Sequence, residues 1–540
     1  MESFLPKRTT WKAVLKFLIW TIAFGLAYTQ APLYYSNQNQ YFLHGLAKAG
    51  RGSLDEDWLA NTTDPTPVFT AIVHLTDRFG VEQLFYVYQI LTLGVYFQSM
   101  LVIFESISRR PVTDLGRLIF AALLFITHAA LPRMLSVRWF GVDYLVYLQS
   151  GLAAQYVLRF GLQPSVAGVF LIAAVAAFVR ELPAQAVLLA CLAAAFHPTY
   201  LLGAGLLTVG FVFAFVSERR FGDALRIAVL AFLLALPIAI DSAVRFRPTT
   251  AENFAHAERL LAHFRIPHHT SVKVWFDRVA GLQLIWFSSA LLLIRRHRIV
   301  PVLLVTAGLS LALTIVQLIS DSDSLALLFP WRTSAFLFPI ATAIVLARLT
   351  DFMLPILERF PDRAEAFCYW VIGIMITGGI AINLLGWGYR TNDSELPLLE
   401  WVKAHAEPGE VYLIPVNVPR LGTGKPGAFA SDFTAPPRPD QPNQIAMDLQ
   451  RFRLYTGAPI FVDFKSVPYK DVEVLEWKRR LDWAGRLYAE NRWDAAELLR
   501  NGITHVVTLA NHPIDDPRFA LAFEDGQYHL YFVGPSHRAE

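Results

Sequence analysis

RGSLDEDWLANTTDPTPVF, residues 51–69, places Asp55, Glu56, Asp57 and Asp64 between two apolar runs, 12–31 and 82–104. Carboxylates beside hydrocarbon cost free energy, so several of them at a membrane surface suggest ion binding, proton transfer or contact with a charged ligand. The competing reading is a solvated loop. Trp58 next to the acids and the quick return to apolar sequence at Pro65-Thr66-Pro67 weigh toward function.

The flanking runs read as membrane segments because of the whole composition. The 540 residues are 54% hydrophobic and 17% charged, with a mean hydropathy of +0.40. A soluble domain carries about a quarter charged residues, so the fold class expected is a polytopic α-helical membrane protein. A net charge of +3 gives no reason to expect a nucleic-acid partner. Cys191 and Cys368 both lie inside apolar runs and read as packing residues, not as a disulfide or metal site. No small-residue cleavage site follows the first run, which reads as a retained anchor.

Crossing roughly 30 Å of hydrocarbon takes about 20 mostly apolar residues. Candidate segments are 12–31, 82–104, 115–132, 143–160, 164–180, 183–217, 222–240, 281–295, 299–319, 332–350 and 366–388. That is about 11–13 crossings, depending on whether 183–217 breaks at His197-Pro198. Segment 143–160 is interrupted by Asp143, Gln149, Gln155 and Arg159. Basic residues favour the cytoplasmic side. Lys7, Arg8, Lys12 and Lys16 therefore place the N-terminus inside, and alternate counting puts loops 32–81, 133–142, 241–280 and 320–331 outside.

The expected division is a helical membrane part, 1–388, and an extracytoplasmic α/β domain, 389–540. Residues 410–415, 459–463 and 504–508 read as strands, 474–490 (VLEWKRRLDWAGRLYAE) and 493–501 as helices, and 519–533 as a hairpin turning at 524–526. The Gly- and Pro-rich stretch 421–443 reads as a flexible loop.

The outer loops hold more basic residues than topology asks for. Arg138 follows the third segment, the long loop carries Arg245, Arg247 and Lys273, and DSDSLALLFPWRTS (321–334) adds Arg332. Arginine suits phosphate because its planar fork engages two oxygens at once, so these five are candidate phosphate contacts. Snorkelling to headgroups is the alternative for Arg245 and Arg247. His197 is a candidate ligand contact, against a packing role. Adjacent side chains point apart, and His268-His269 lacks a spaced third ligand, so no metal site is assigned. Asp463 and Lys465 read as strand-end polar residues within reach of a loop lying over a membrane site.

An inner N-terminus, an acidic first outer loop, about a dozen segments and an outer α/β domain together resemble the GT-C superfamily. These are integral-membrane glycosyltransferases using polyprenyl-phosphate-linked sugars. The stretch RFRLYTGAPIFVDFKSVPYKDVEVLEW, residues 451–477, also looks like outer-domain segments of bacterial membrane proteins placed near that group. The chain lacks a WWDxG-type signature, which argues against an oligosaccharyltransferase. The resemblance implies transfer of a sugar from a polyprenyl-phosphate donor to an acceptor hydroxyl at the outer face of a bacterial inner membrane. By position it makes Asp55, Glu56 and Asp57 the candidate catalytic base or metal-binding acids. A divalent cation, Mg or Mn, bridging acid and phosphate would be compatible, though nothing in the sequence requires one. Two other classes stay open: a lipid or solute transporter or flippase, and a non-catalytic scaffold subunit.

Overall fold

The computed structural model describes residues 11–34, 36–385, 393–416 and 449–534. The expected flexible loop 421–443 lies outside these residues.

The apolar runs form helices α1 (Trp11–Tyr28), α2 (Leu84–Ile107), α3 (Asp114–His128), α4 (Ala130–Phe140), α5 (Val169–Val179), α6 (Pro183–Phe196), α7 (Leu201–Ser217), α8 (Phe221–Arg245), α9 (Arg278–Leu293), α10 (Ile299–Ser320), α11 (Ser334–Leu357) and α12 (Pro361–Leu384). Among the described residues, seven helices are long and apolar enough to cross a membrane, and an eighth if α3 and α4 form one bent span. The chain is an integral membrane protein. This is fewer than the expected 11–13, because α5, α6 and α9 fall short of the length that spans hydrocarbon.

One expected segment resolves differently, and 183–217 takes the broken form, one of the two its sequence left open. Residues 143–160 form no long helix but short 3-10 turns, Tyr144–Leu148 and Leu152–Ala154. Their interrupting polar side chains all have work to do. Asp143 pairs with Arg133 at 2.8 Å and accepts from the Val146 N–H, Gln149 reaches the Thr127 carbonyl, Gln155 accepts from Arg332, and the Arg159 guanidinium lies 4.0 Å from the Tyr156 ring centroid. Segment 183–217 is two helices. His197 is extended (φ −143°, ψ 100°), and Pro198 has no N–H to continue the ladder. The bend between α3 and α4, 44°, falls at an extended Ala129. Pro132 then sits in the first turn of α4, where its missing N–H costs nothing.

The bundle core is aromatic and aliphatic. Phe24 of α1 packs on Phe97 of α2 and Phe125 of α3, each 5.3 Å between centroids. α8 is nearly all outward-facing, as a helix in contact with lipid would be.

The C-terminal part is a small α/β unit, as its alternating pattern implies. Helix α13 (Leu396–His405) precedes β1 (Tyr412–Leu413). Helices α14 (Asp471–Glu490) and α15 (Ala495–Arg500) lead to β2 (His505–Leu509), β3 (Phe519–Glu524) and β4 (Tyr528–Val533). Sheet order is β1-β2-β4-β3, with β1 and β2 parallel and the other pairs antiparallel. The hairpin turns where expected, because the Asp525 carboxylate accepts from the N–H groups of Gln527 and Tyr528, each 2.7 Å away. The expected strand 459–463 contributes only a bridge from Ile460 to Tyr412.

Candidate functional site

The acidic loop folds against the C-terminal part. Ser53 N–H donates to the Gly457 carbonyl at 2.9 Å. A side chain on Gly52 would start 2.4 Å from that oxygen, and both glycines have positive φ (53° and 76°). Only glycine permits so close an approach in that conformation. Trp58 lies under the Arg480 guanidinium, 4.4 Å from ring centroid to carbon. Thr63 donates from its N–H and hydroxyl to Glu473.

This docking determines what the acids do. Asp57 is fully buried. Its Oδ2 accepts from Arg453 Nε at 2.7 Å and from the Ile460 N–H at 3.0 Å, and its Oδ1 from the Leu59 N–H at 2.9 Å. Arg453 is itself buried and donates also to Asp463 at 3.0 Å. Glu56 is exposed and accepts from the Gly409 N–H at 2.7 Å. Asp55 is exposed. Asp64 Oδ1 accepts from Thr66 and Thr70, with Lys48 3.5 Å from Oδ2. Of the acids expected to carry chemistry, Asp57 and Glu56 hold the loop to the C-terminal part. Asp57 commits both carboxylate oxygens to protein donors, which leaves it a poor ligand for a divalent cation.

A cavity of about 890 Å³ lies nearby, where the α6–α7 break, residues 154–156, the segment 261–269, the 327–332 turn and the roof 465–469 meet. Three cations line it: Arg265, Arg332 and Lys465. Among the described residues, no Asp or Glu lines it. Arg332 donates from Nε to Gln155 Oε1 at 2.7 Å and from Nη1 to the Thr199 hydroxyl. Arg265, buried, donates from Nη2 to the Lys465 carbonyl at 2.5 Å and lies 5.0 Å over the Phe464 ring. Burial lowers its guanidinium from the ordinary value. Neither arginine has a carboxylate within ion-pair distance among the described residues.

Three polar atoms of the cavity residues are buried without a partner: Arg265 Nε, His268 Nδ1 and His197 Nδ1. Such groups are rare, and several in one cavity wall point to a ligand that completes them. Burial, then Arg265 and Lys465, push His268 down to about 3. Burial and the neighbouring His268, Arg332 and Arg265 hold His269 well below the usual imidazole range, against the opposing pull of the Ala153 carbonyl.

The opposite wall is apolar. Leu202, Gly205, Leu206 and Val209 of α7 face the cavity, and their spacing is one face of a helix. Phe246, Leu327 and Leu328 continue it. Val209 and Leu328 are also about half exposed, at 47% and 52%, so this wall runs out to the apolar surface of the bundle.

Of the basic residues expected to contact phosphate, Arg332 lines the cavity, and so does His197. Arg245 pairs with Asp241 at 2.7 Å on the surface, and Arg138, Arg247 and Lys273 are exposed away from it. Arg265, Gln155 and Tyr469 were not singled out by sequence reasoning. The usable signals were Arg265 beside the His pair and Tyr469 beside Lys465. Residues 433–484 match the family model described as a domain of unknown function, DUF6798. Its described part supplies Arg453 and the roof residues Lys465, Val467 and Tyr469. No curated protein matches the chain.

Proposed function

We propose that this cavity binds the phosphate of a membrane lipid, and that the chain transfers a sugar from such a polyprenyl-phosphate carrier to an acceptor hydroxyl. The observation that carries the reading is the pairing of Arg265 and Arg332, neither of which has a carboxylate within ion-pair distance among the described residues, with an apolar wall reaching the bundle surface. That combination fits an amphiphile with an anionic head and a long hydrocarbon tail. Guanidinium groups in a site sheltered from water also stabilise a departing phosphate. The positive-inside bias of the sequence supports a position for this end of the bundle at the outer face of the membrane.

That no Asp or Glu lines the cavity among the described residues favours a second reading, a lipid carrier or flippase, which needs the same anion contacts but no base. Titrating the full chain in nanodiscs with farnesyl phosphate and with farnesol tests the shared part. The phosphate should bind at least about tenfold tighter, the effect of one charge-assisted hydrogen bond. Equal affinity for phosphate and alcohol would remove the basis for either reading.

A further inference from the structure

We propose that His269 is the proton acceptor of the transfer reaction, an inference that rests on the phosphate-lipid reading above. His269 occupies a short helical turn, Pro267–Thr270, that lines the cavity. Its Nδ1 lies 2.7 Å from the Ala153 carbonyl oxygen. A carbonyl only accepts, so Nδ1 carries the hydrogen and Nε2 keeps its lone pair. A histidine oriented through one nitrogen by an acceptor, leaving the other basic, is the arrangement general-base catalysis needs.

The rest of the site holds that arrangement in place. Ala153 and Ala154 both adopt left-handed backbone, φ 51° and 60°, a conformation that brings Cβ too close to the following carbonyl oxygen in a non-glycine residue. Strain of this kind is retained where surrounding structure requires it, commonly at functional sites. Here it sits in the turn that presents the Ala153 carbonyl. The next residue, Gln155, accepts from Arg332 through Oε1. Its Nε2 therefore turns toward His269, 3.1 Å from Nδ1 and 3.4 Å from the same carbonyl. Of the two groups facing Nδ1, the carbonyl is the closer at 2.7 Å and takes the hydrogen. Arg332, Gln155, Ala153 and His269 thus form one connected set, joining a phosphate contact to a base. The His268 ring packs against His269 at a tilt of 46°, 4.0 Å between centroids, but has no partner orienting its Nδ1.

The step balances without another reactant. The acceptor hydroxyl gives its proton to His269 Nε2 as its oxygen bonds to the anomeric carbon. The bond from that carbon to the phosphate oxygen breaks, and its electron pair stays on the phosphate, facing Arg265 and Arg332. Burial first, then His268 and the neighbouring arginines, favour the neutral imidazole before the ligand arrives. The bound phosphate then offsets those cations and favours the imidazolium that forms.

The test uses the full chain in nanodiscs, with a panel of polyprenyl-phosphate-linked sugars as donors and farnesyl phosphate as the binding probe. His269→Asn keeps a donor toward Ala153 and removes the base. It should bind farnesyl phosphate within about threefold of wild type and lose about a hundredfold or more in kcat. Added imidazole should restore part of the turnover of His269→Ala. Turnover by His269→Asn within tenfold of wild type would overturn the proposal. So would wild type that binds farnesyl phosphate yet turns over no donor, which would leave the binding reading standing. Failure of wild type to bind farnesyl phosphate would instead overturn that reading, and the proposal with it.

Discussion

Asp57 shows how far a residue type can be read without its surroundings. The sequence places it in an acidic run at a membrane edge, where catalysis and solvation are both reasonable. The structure buries it against Arg453, a partner 396 positions away that no local pattern links to it. Breaking one side of a buried ion pair leaves an uncompensated charge. Asp57→Asn should therefore lower stability by about 3 kcal/mol, with Asp463 limiting the damage, and the melting temperature in nanodiscs should fall clearly. An unchanged melting temperature with lost turnover would return Asp57 to the catalytic role. His268 makes a pH-dependent prediction. The folded chain holds it neutral, with its value pushed from 6.5 to about 3, whereas the unfolded chain protonates it below about 6.5. The unfolded state then binds more protons, so stability falls as pH drops from about 6.5 toward 3. His268→Gln should make the melting temperature less steep across that window. Parallel curves for the two proteins would show that His268 titrates alike in both states.

At the level of elements, most of the chain was legible where local periodicity decides the outcome. The hairpin 519–533 and the helix beginning at Asp471 arise from turn chemistry and amphipathic spacing contained in their own residues. The stretch 143–160 is different. It is apolar enough to suggest a crossing, but its polar side chains bond to α3, α4 and the turn carrying Arg332, and tertiary partners outweigh hydropathy. The apolar stripe 202, 205, 206, 209 on α7 was visible as a helix face, though not as a cavity wall. A side chain added at Gly205 meets nothing within 4 Å, so Gly205→Phe should fold normally and fill the groove. Farnesyl phosphate should then bind about tenfold more weakly, the loss of roughly two buried methylenes, while inorganic phosphate binds as before. Equal weakening of both would mean that the wall does not hold the tail.

At the scale of the whole molecule, the cavity exists only because distant segments converge. The α6–α7 break, the 153–156 turn, the 261–269 segment, the 327–332 turn and the 465–469 roof are brought together by the bundle and by the docking of the C-terminal part on the first loop. Arg332 and His197 could be suspected from sequence as basic groups out of place. Arg265 could not be ranked above its many charged neighbours, because its distinction is burial beside the roof and not its position in a pattern. The convergence also makes the central claim simple to test. The most direct measurement is the farnesyl phosphate titration of the full chain repeated with Arg265→Gln and Arg332→Gln, which keep side-chain volume while removing charge. The account expects saturable binding by wild type and at least about a tenfold loss in each variant, one charge-assisted contact apiece. Unchanged affinity in both variants would contradict it.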